Sequence, residues 1–308
     1  MNVIHQHIEN CFEALDQAAI SRAQKQKISY IEALIEVADD VEIDVEPFTG
    51  EEIRKSMQLA ILKGMKEHTV VGASLTPDTV AMFMAHLASQ FIEKPQVIFD
   101  PAVGSGNLLS CVMNQYSSHT VGYGAEVDPT LVRLAYVSAN LQKLEVELFH
   151  QDGLKAMYVP KAQLVVSDLP VGLYPNQEIA KLYKLYEDNA EMYTHQLMIE
   201  QCINYTEENG FIFLLIPNTL FVEQGGEKLR KVITEETYIQ GILQLPSSLF
   251  QEGSIQKSIF ILQKKGKHSI KPKQVLMANL PSFSNKEAFS KSLAQIHEWI
   301  QLEVKQHG

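Results

Sequence analysis

Phe99-Asp100-Pro101-Ala102-Val103-Gly104-Ser105-Gly106-Asn107-Leu108-Leu109 decides how this chain folds. Val97-Ile98-Phe99 reads as a short buried strand, Gly104-Ser105-Gly106 as a tight turn, and Asn107-Leu108-Leu109 as the opening of a helix. Glycine at 104 and 106 removes side chains where a ligand must approach the backbone closely. Outward from this stretch the same alternation recurs. Strand-like runs at 120–123, 148–149, 164–166, 211–216, 239–243 and 258–262 are separated by helix-like stretches such as 131–144 and 192–205. Strands alternating with helices build βαβ units, so the fold class is α/β, a mostly parallel sheet with helices on both faces. Little chain separates Leu245 from Ser258, which predicts an antiparallel pair at one edge, and residues 283–304 read as a closing helix.

The first seventy residues have a different texture. Ile4, Ile8, Phe12, Leu15 and Ala19 keep helical spacing, a second helix covers about 30–38, and Thr49-Gly50-Glu51-Glu52 has the form of a capping box ahead of Ile53, Met57, Ala60 and Ile61. These predict a small helical N-terminal domain over residues 1–68 and an α/β domain over 69–308, a division that 308 residues and 45% apolar content allow. The longest apolar run, Phe211 to Ile216, has six residues, where a membrane span needs roughly twenty. The first residues lack the pattern of a signal peptide, and Cys11, Cys111 and Cys202 form no framework, so a cytoplasmic chain is expected. The ten histidines show no metal-ligand spacing, and no metal site is expected. A net charge of −11 argues against a surface that holds nucleic acid throughout. Eight carboxylates and no Lys or Arg lie between Glu36 and Glu52; the basic stretch Lys264 to Lys273 reads as a solvated hairpin, and only weakly as a phosphate contact.

Chemistry gathers after the glycine turn. Twenty residues beyond Gly106, at the end of the next strand, stands Glu126, a carboxylate placed to take the two hydroxyls of a ribose. Two details disfavour a dinucleotide: Leu109 fills the place of the third glycine, and Asp100 would repel a pyrophosphate. The same charge attracts a ligand with an ammonium and a sulfonium, which is S-adenosylmethionine.

With these residues the chain resembles the N6-adenine DNA methyltransferases, in particular the modification-subunit branch of type I restriction systems, in a short stand-alone form. Asp100 to Leu109 matches that family's first motif, with Val103 in place of the usual cysteine. Gly72-Ala73-Ser74-Leu75-Thr76-Pro77 is similar to its Thr-Pro motif. Gly210 to Asn218 and Leu245 to Phe250 match two more, and the resemblance covers about residues 70–265. It implies a Rossmann-like S-adenosylmethionine-dependent methyltransferase fold. It further implies that cofactor lies along Thr76, Pro77, Asp100, Pro101, Ala102, Gly104, Ser105, Gly106, Asn107, Leu108, Glu126, Val127, Asp152, Gly153, Leu154 and Asp168. Glu126 takes the ribose position and Asp152 the position that bonds the adenine amine. Alone, Thr76-Pro77 is a common helix start and Asp152-Gly153 a common turn.

The catalytic motif departs from the family pattern of Asn or Asp, Pro-Pro and an aromatic. Here it is Asp168-Leu169-Pro170-Val171. Asp168 and the Leu169 carbonyl supply the two acceptors that an exocyclic amine needs, and Pro170 fixes the loop. The aromatic that would stack on a flipped base is missing, a contact worth about 1–3 kcal/mol. Tyr174 is the candidate substitute; the bland alternative is that it packs under the loop. After Leu262, one strand and one helix are expected, too few residues for a base-reading region. A partner chain that reads DNA, low specificity, or another acceptor follows. The expected function is methyl transfer to adenine N6 in DNA. The alternatives are transfer to a protein amide or RNA amine, and a cofactor-binding module without transfer.

Overall fold

Capping boxes start two of the three N-terminal helices. The computed structural model describes residues 3–40, 43–67, 75–116, 119–251 and 253–305. In it α1 spans Val3–Gln26, α2 Tyr30–Asp39 and α3 Gly50–Glu67. Ser29 and Glu32 bond each other's backbone N–H ahead of α2, at 3.2 and 3.0 Å. Thr49 and Glu52 do the same ahead of α3, at 3.3 and 2.8 Å, as the sequence predicts. Cys11, Leu15 and Ala19 form the buried face of α1, while Ile4, the first residue of the predicted stripe, is exposed. Gly72-Ala73-Ser74 of the Thr-Pro motif, and the expected boundary at 68–69, lie outside the described residues.

Among the described residues seven further α-helices follow: α4 Asp78–Phe91, α5 Asn107–Met113, α6 Pro129–Leu141, α7 Gln177–Ala180, α8 Thr194–Tyr205, α9 Gly226–Glu236 and α10 Lys286–Ile300. They alternate with β1 Val97–Asp100, β2 Val121–Glu126, β3 Val146–His150, β4 Ala162–Asp168, β5 Thr206–Pro217, β6 Thr237–Gln244, β7 Lys257–Lys264 and β8 Leu276–Asn279. The eight strands form one sheet in the order β3-β2-β1-β4-β5-β7-β6-β8. Only β7 runs against its neighbours; β6 and β7 are the predicted antiparallel pair, and β8 closes that edge parallel to β6.

Both faces of the sheet are covered, which explains the unbroken apolar run in β5. Phe211, Phe213 and Leu215 point into the core shared with α4, α5 and α10, while Ile212, Leu214 and Ile216 enter the core shared with α8 and α9. A third core joins α1, α2 and α3 to Leu134, Val137 and Leu141 of α6, so the N-terminal helices are seated on the sheet unit. The chain order reverses between β1 and β4, and there the carboxyl ends open a crevice of the kind that receives ligands. Asp100, Glu126 and Asp168 each end a strand on that edge. The antiparallel β7 begins there, with Lys257 opposite Pro217. Among the described residues, no helix is long and apolar enough to cross a membrane.

Candidate functional site

The glycine turn works in two different ways. Gly104 has φ +56°, and no atom lies within 4 Å of where a Cβ would stand, so its face is open to a ligand. Gly106, at φ +81°, would bring a Cβ to 3.0 Å from Ala135 of α6. Close ligand approach therefore explains Gly104 alone; Gly106 is required by the helix packed behind the turn. Asp100 is buried beneath it and accepts bonds from Ser167 Oγ (2.7 Å) and the Ala102 N–H (3.0 Å). Burial pushes its carboxyl up from 3.8 to about 7, with a further rise from Asp168 and Glu126, against the lowering effect of those two bonds.

Glu126 lies across the turn, accepting the Gly104 N–H on one oxygen and the Asp128 N–H on the other, both at 2.9 Å. Asp128 itself caps α6 through the N–H groups of Thr130 and Leu131. Val127 is exposed on the rim beside it. Asp152 accepts the Leu154 N–H at 2.9 Å and the Tyr174 hydroxyl at 2.5 Å. A Cβ on Gly153 would stand 1.9 Å from the Pro101 carbonyl oxygen, so this loop is pressed directly onto the motif. Leu154 is buried, and its carbonyl accepts the Tyr183 hydroxyl.

Tyr174 is thereby removed from the role of stacking partner. Its ring is buried in the core under the loop and its hydroxyl is committed to Asp152. Burial, then the Asp152 bond, raise its pKa. Pro170 is exposed and Val171 half-buried, so Asp168-Leu169-Pro170-Val171 offers no aromatic face.

Asp168 is gripped from both sides. Its Oδ2 accepts the Thr76 hydroxyl at 2.9 Å, so Thr76 is not a helix cap, and Pro77 occupies the cap position of α4. Its Oδ1 pairs with Lys257 Nζ, which also donates to the Leu169 carbonyl at 3.3 Å. The two acceptors expected to hold an acceptor amine thus converge on one nitrogen of the chain itself. Thr76 is held in turn: its carbonyl accepts Gln58 Nε2 (3.2 Å) and Asn107 Nδ2 (3.3 Å). Arg54, 1% exposed, bonds Asn107, Glu51 and Asp78 together.

Of the sequence-derived residues, Thr76, Asp100, Ala102, Gly104, Ser105, Asn107, Leu108 and Asp168 line one narrow cleft of about 40 Å³. Glu126 adjoins it through Gly104. Pro77 caps α4 next to Thr76, Gly106 packs against Ala135, Gly153 is pressed onto the Pro101 carbonyl with Leu154 buried beside it, and Leu169 and Pro170 follow Asp168 in the chain. Sequence reasoning missed Lys257 and Arg54. A charged residue directly before a buried strand, and an arginine between Ile53 and Met57 on a buried helix face, were the available signals. It also missed His195, fully buried and bonded to Glu223 at 2.6 Å, whose pKa burial lowers.

A larger cavity of about 380 Å³ lies over the other half of the same edge, lined by Asn218, Gln244, Ser258 and Asn279 with Phe221, Ile242 and Met277. Asn218 accepts the Ser258 hydroxyl at 2.7 Å, which brings the end of β5 next to Lys257. The basic stretch is elsewhere. Lys264 ends β7, about 20 Å along the strand from Lys257, paired to Glu236, while Lys265 donates to the Thr234 and Glu235 carbonyls. Among the described residues, no group of three or more His, Cys, Asp or Glu is placed to hold a metal ion.

Two carboxylates line the cleft: Asp168, paired with Lys257, and Asp100, which is bonded to the neutral groups of Ser167 and Ala102 and when ionised suits a cationic ligand. The sheet, with its strand-turn-helix crevice, an acid at one strand tip and a second carboxylate bonded across the turn, has the fold of a class I S-adenosylmethionine-dependent methyltransferase. The chain belongs to the N-6 DNA methylase family, whose profile matches residues 62–302. A second profile, the YtxK N-terminal helical domain, matches residues 39–65. The Bacillus subtilis protein YtxK is 39% identical, over 96% of this chain and 98% of its own length. The Escherichia coli type I restriction enzyme EcoEI methylase subunit is 24% identical over 80% of this chain, which spans 53% of that subunit. A crystal structure from Listeria monocytogenes, described as a putative class I S-adenosylmethionine-dependent methyltransferase, superposes with a TM-score of 0.87 at 36% identity. It covers 96% of this chain and 99% of its own. S-adenosylmethionine is the cofactor.

Proposed function

We propose that this chain methylates the N6 amine of adenine in DNA. One observation carries the reading: Asp168 Oδ1 and the Leu169 carbonyl are close enough to bond a single nitrogen at the mouth of the cofactor cleft. An exocyclic amine held by two acceptors has its lone pair drawn out of conjugation with the ring. When bound, the cofactor supplies a methyl group on a sulfonium leaving group. The chain's own residues then do the positioning. Thr76 fixes Asp168, Asp100 and Asp168 balance the cofactor's positive charge, and Glu126 and Asp152 hold its ribose and adenine. The amide-lined cavity beside Asn218 has the size and polar edges to receive a base turned out of a duplex. Sequence recognition would come from a separate target-recognition protein.

A second acceptor class is favoured by the missing aromatic face. With Tyr174 buried and the basic stretch at the far end of the sheet, a protein amide is the competing substrate that these features favour, and an RNA amine is the remaining alternative. The test is transfer of labelled methyl to unmethylated genomic DNA, RNA and extract protein. Label on DNA adenine that Asp168→Ala reduces at least a hundredfold is the expected result. Label on another acceptor replaces the substrate and keeps the enzyme. Bound cofactor with no label anywhere favours a binding module.

A further inference from the structure

Methyl-transfer chemistry gives Lys257 no part, yet its ammonium holds both acceptors of the amine seat. Nζ pairs with Asp168 Oδ1 and donates to the Leu169 carbonyl at 3.3 Å. This inference rests on the two-acceptor amine seat of the reading proposed above, whichever acceptor is methylated: the amine needs the same two oxygens. Both cannot be served at once.

The surroundings decide which group gives way. Thr76 holds the second oxygen of Asp168 at 2.9 Å, which resists rotation of the carboxylate away from Lys257. The Leu169 N–H donates to the Leu215 carbonyl at 3.2 Å, which fixes the loop at that residue. On the other side, the Lys257 backbone is fixed opposite Pro217, and its carbonyl accepts the Leu245 N–H at 3.2 Å. What remains free to move is the four-carbon stem of the lysine. The two side chains are 15% and 12% exposed, so the pair is shielded and its separation needs a replacement partner for Asp168. Being tethered, the lysine competes at an effective concentration of order millimolar. Being an ammonium, it has no lone pair and takes no methyl group while paired.

We propose that Lys257 is an internal competitor for the acceptor amine: it fills the seat at rest, and an acceptor must displace it before a methyl group can be received. The device suppresses transfer to amines that bind weakly. It reserves the seat for an acceptor held by further contacts, from the adjoining cavity or from a recognition partner.

The test uses the full chain and two readouts. The first is acetylation of lysines by an amine-reactive ester, read peptide by peptide, with exposed Lys271 as the internal reference. Lys257 is expected to react at least tenfold more slowly than Lys271, and to become reactive in Asp168→Ala or when unmethylated duplex is added. The second is methyl transfer at low duplex concentration, where Lys257→Met keeps the stem, removes the ammonium and is expected to raise the rate about tenfold through a lower KM. Duplex that releases Lys257 without being methylated sinks the DNA-transfer reading and supports this one. Duplex that is methylated while Lys257 labelling stays unchanged overturns this one alone. So does a Lys257→Met that transfers no faster than the parent. Lys257 as reactive as Lys271 at the outset, or released by none of duplex, RNA or extract protein, also overturns it.

Discussion

At the residue scale, Asp100 sets a pH dependence whose sign follows from its surroundings. Its carboxyl is raised from 3.8 to about 7, first by burial and then by Asp168 and Glu126. A carboxyl that holds its proton more tightly when folded contributes full stability below pH 4, and loses it as pH rises toward 7. Asp100→Asn keeps an oxygen for Ser167 and Ala102 and removes the charge. It should raise the thermal midpoint at pH 8 by several degrees and hardly move it at pH 4, as a melting series in both buffers would reveal. Binding works in the opposite sense. A cation is bound more tightly by the ionised form, so affinity for S-adenosylmethionine is expected to rise several-fold from pH 6 to pH 8. Methylthioadenosine, which has neither cation, should show no such rise in parallel titration calorimetry. A flat profile for S-adenosylmethionine would remove Asp100 from the cofactor site.

At the scale of elements, α3 reaches the catalytic strand through a relay of polar groups. Arg54 on α3 holds Asn107 at the start of α5 and Asp78 at the start of α4; Asn107 holds Thr76, and Thr76 holds Asp168 at the end of β4. Removing one partner from a buried, bonded charge cluster is destabilising by about 3–5 kcal/mol. Arg54→Met is therefore expected to lower the thermal midpoint and to weaken cofactor binding, whereas Lys143→Met, which breaks an exposed pair with Glu46, leaves both unchanged. Equal effects of the two substitutions would show that the relay carries nothing. This relay also marks where the sequence stops being legible. The strands, the turn at Gly104 and the box at Thr49 are written in neighbouring residues, so spacing alone finds them. Arg54 meets Asn107 across 53 residues and Lys257 meets Asp168 across 89, and no local pattern records either meeting. Tyr174 left two readings open in the sequence for the same reason: its partner Asp152, which decides for packing under the loop, is delivered by another loop.

At the scale of the whole molecule, the question is whether the helical segment and the sheet stand as separate units. The change of texture near residue 70 reads as a boundary, since the periodicity of 3.6 gives way to strands there. What periodicity does not report is who covers the outer face of α6. Leu134, Val137 and Leu141 are buried in the core of α1, α2 and α3, so that core belongs in part to the sheet unit. Two bodies that share one core, and a polar relay besides, should unfold together. Met57 on α3 is fully buried in that shared core, and Met57→Ala should destabilise by about 2–5 kcal/mol. Trp299 on α10 packs against Phe91 in the core of α4, α5 and α10, over β5, and its fluorescence reports the end of the sheet distant from α6. The expected result is one transition in which circular dichroism and Trp299 fluorescence coincide, shifted downward together by Met57→Ala. If Met57→Ala moved the circular dichroism and left the Trp299 midpoint in place, the helices would be an independent domain. The relay from Arg54 to Asp168 would then be a contact between two bodies, able to open without unfolding either.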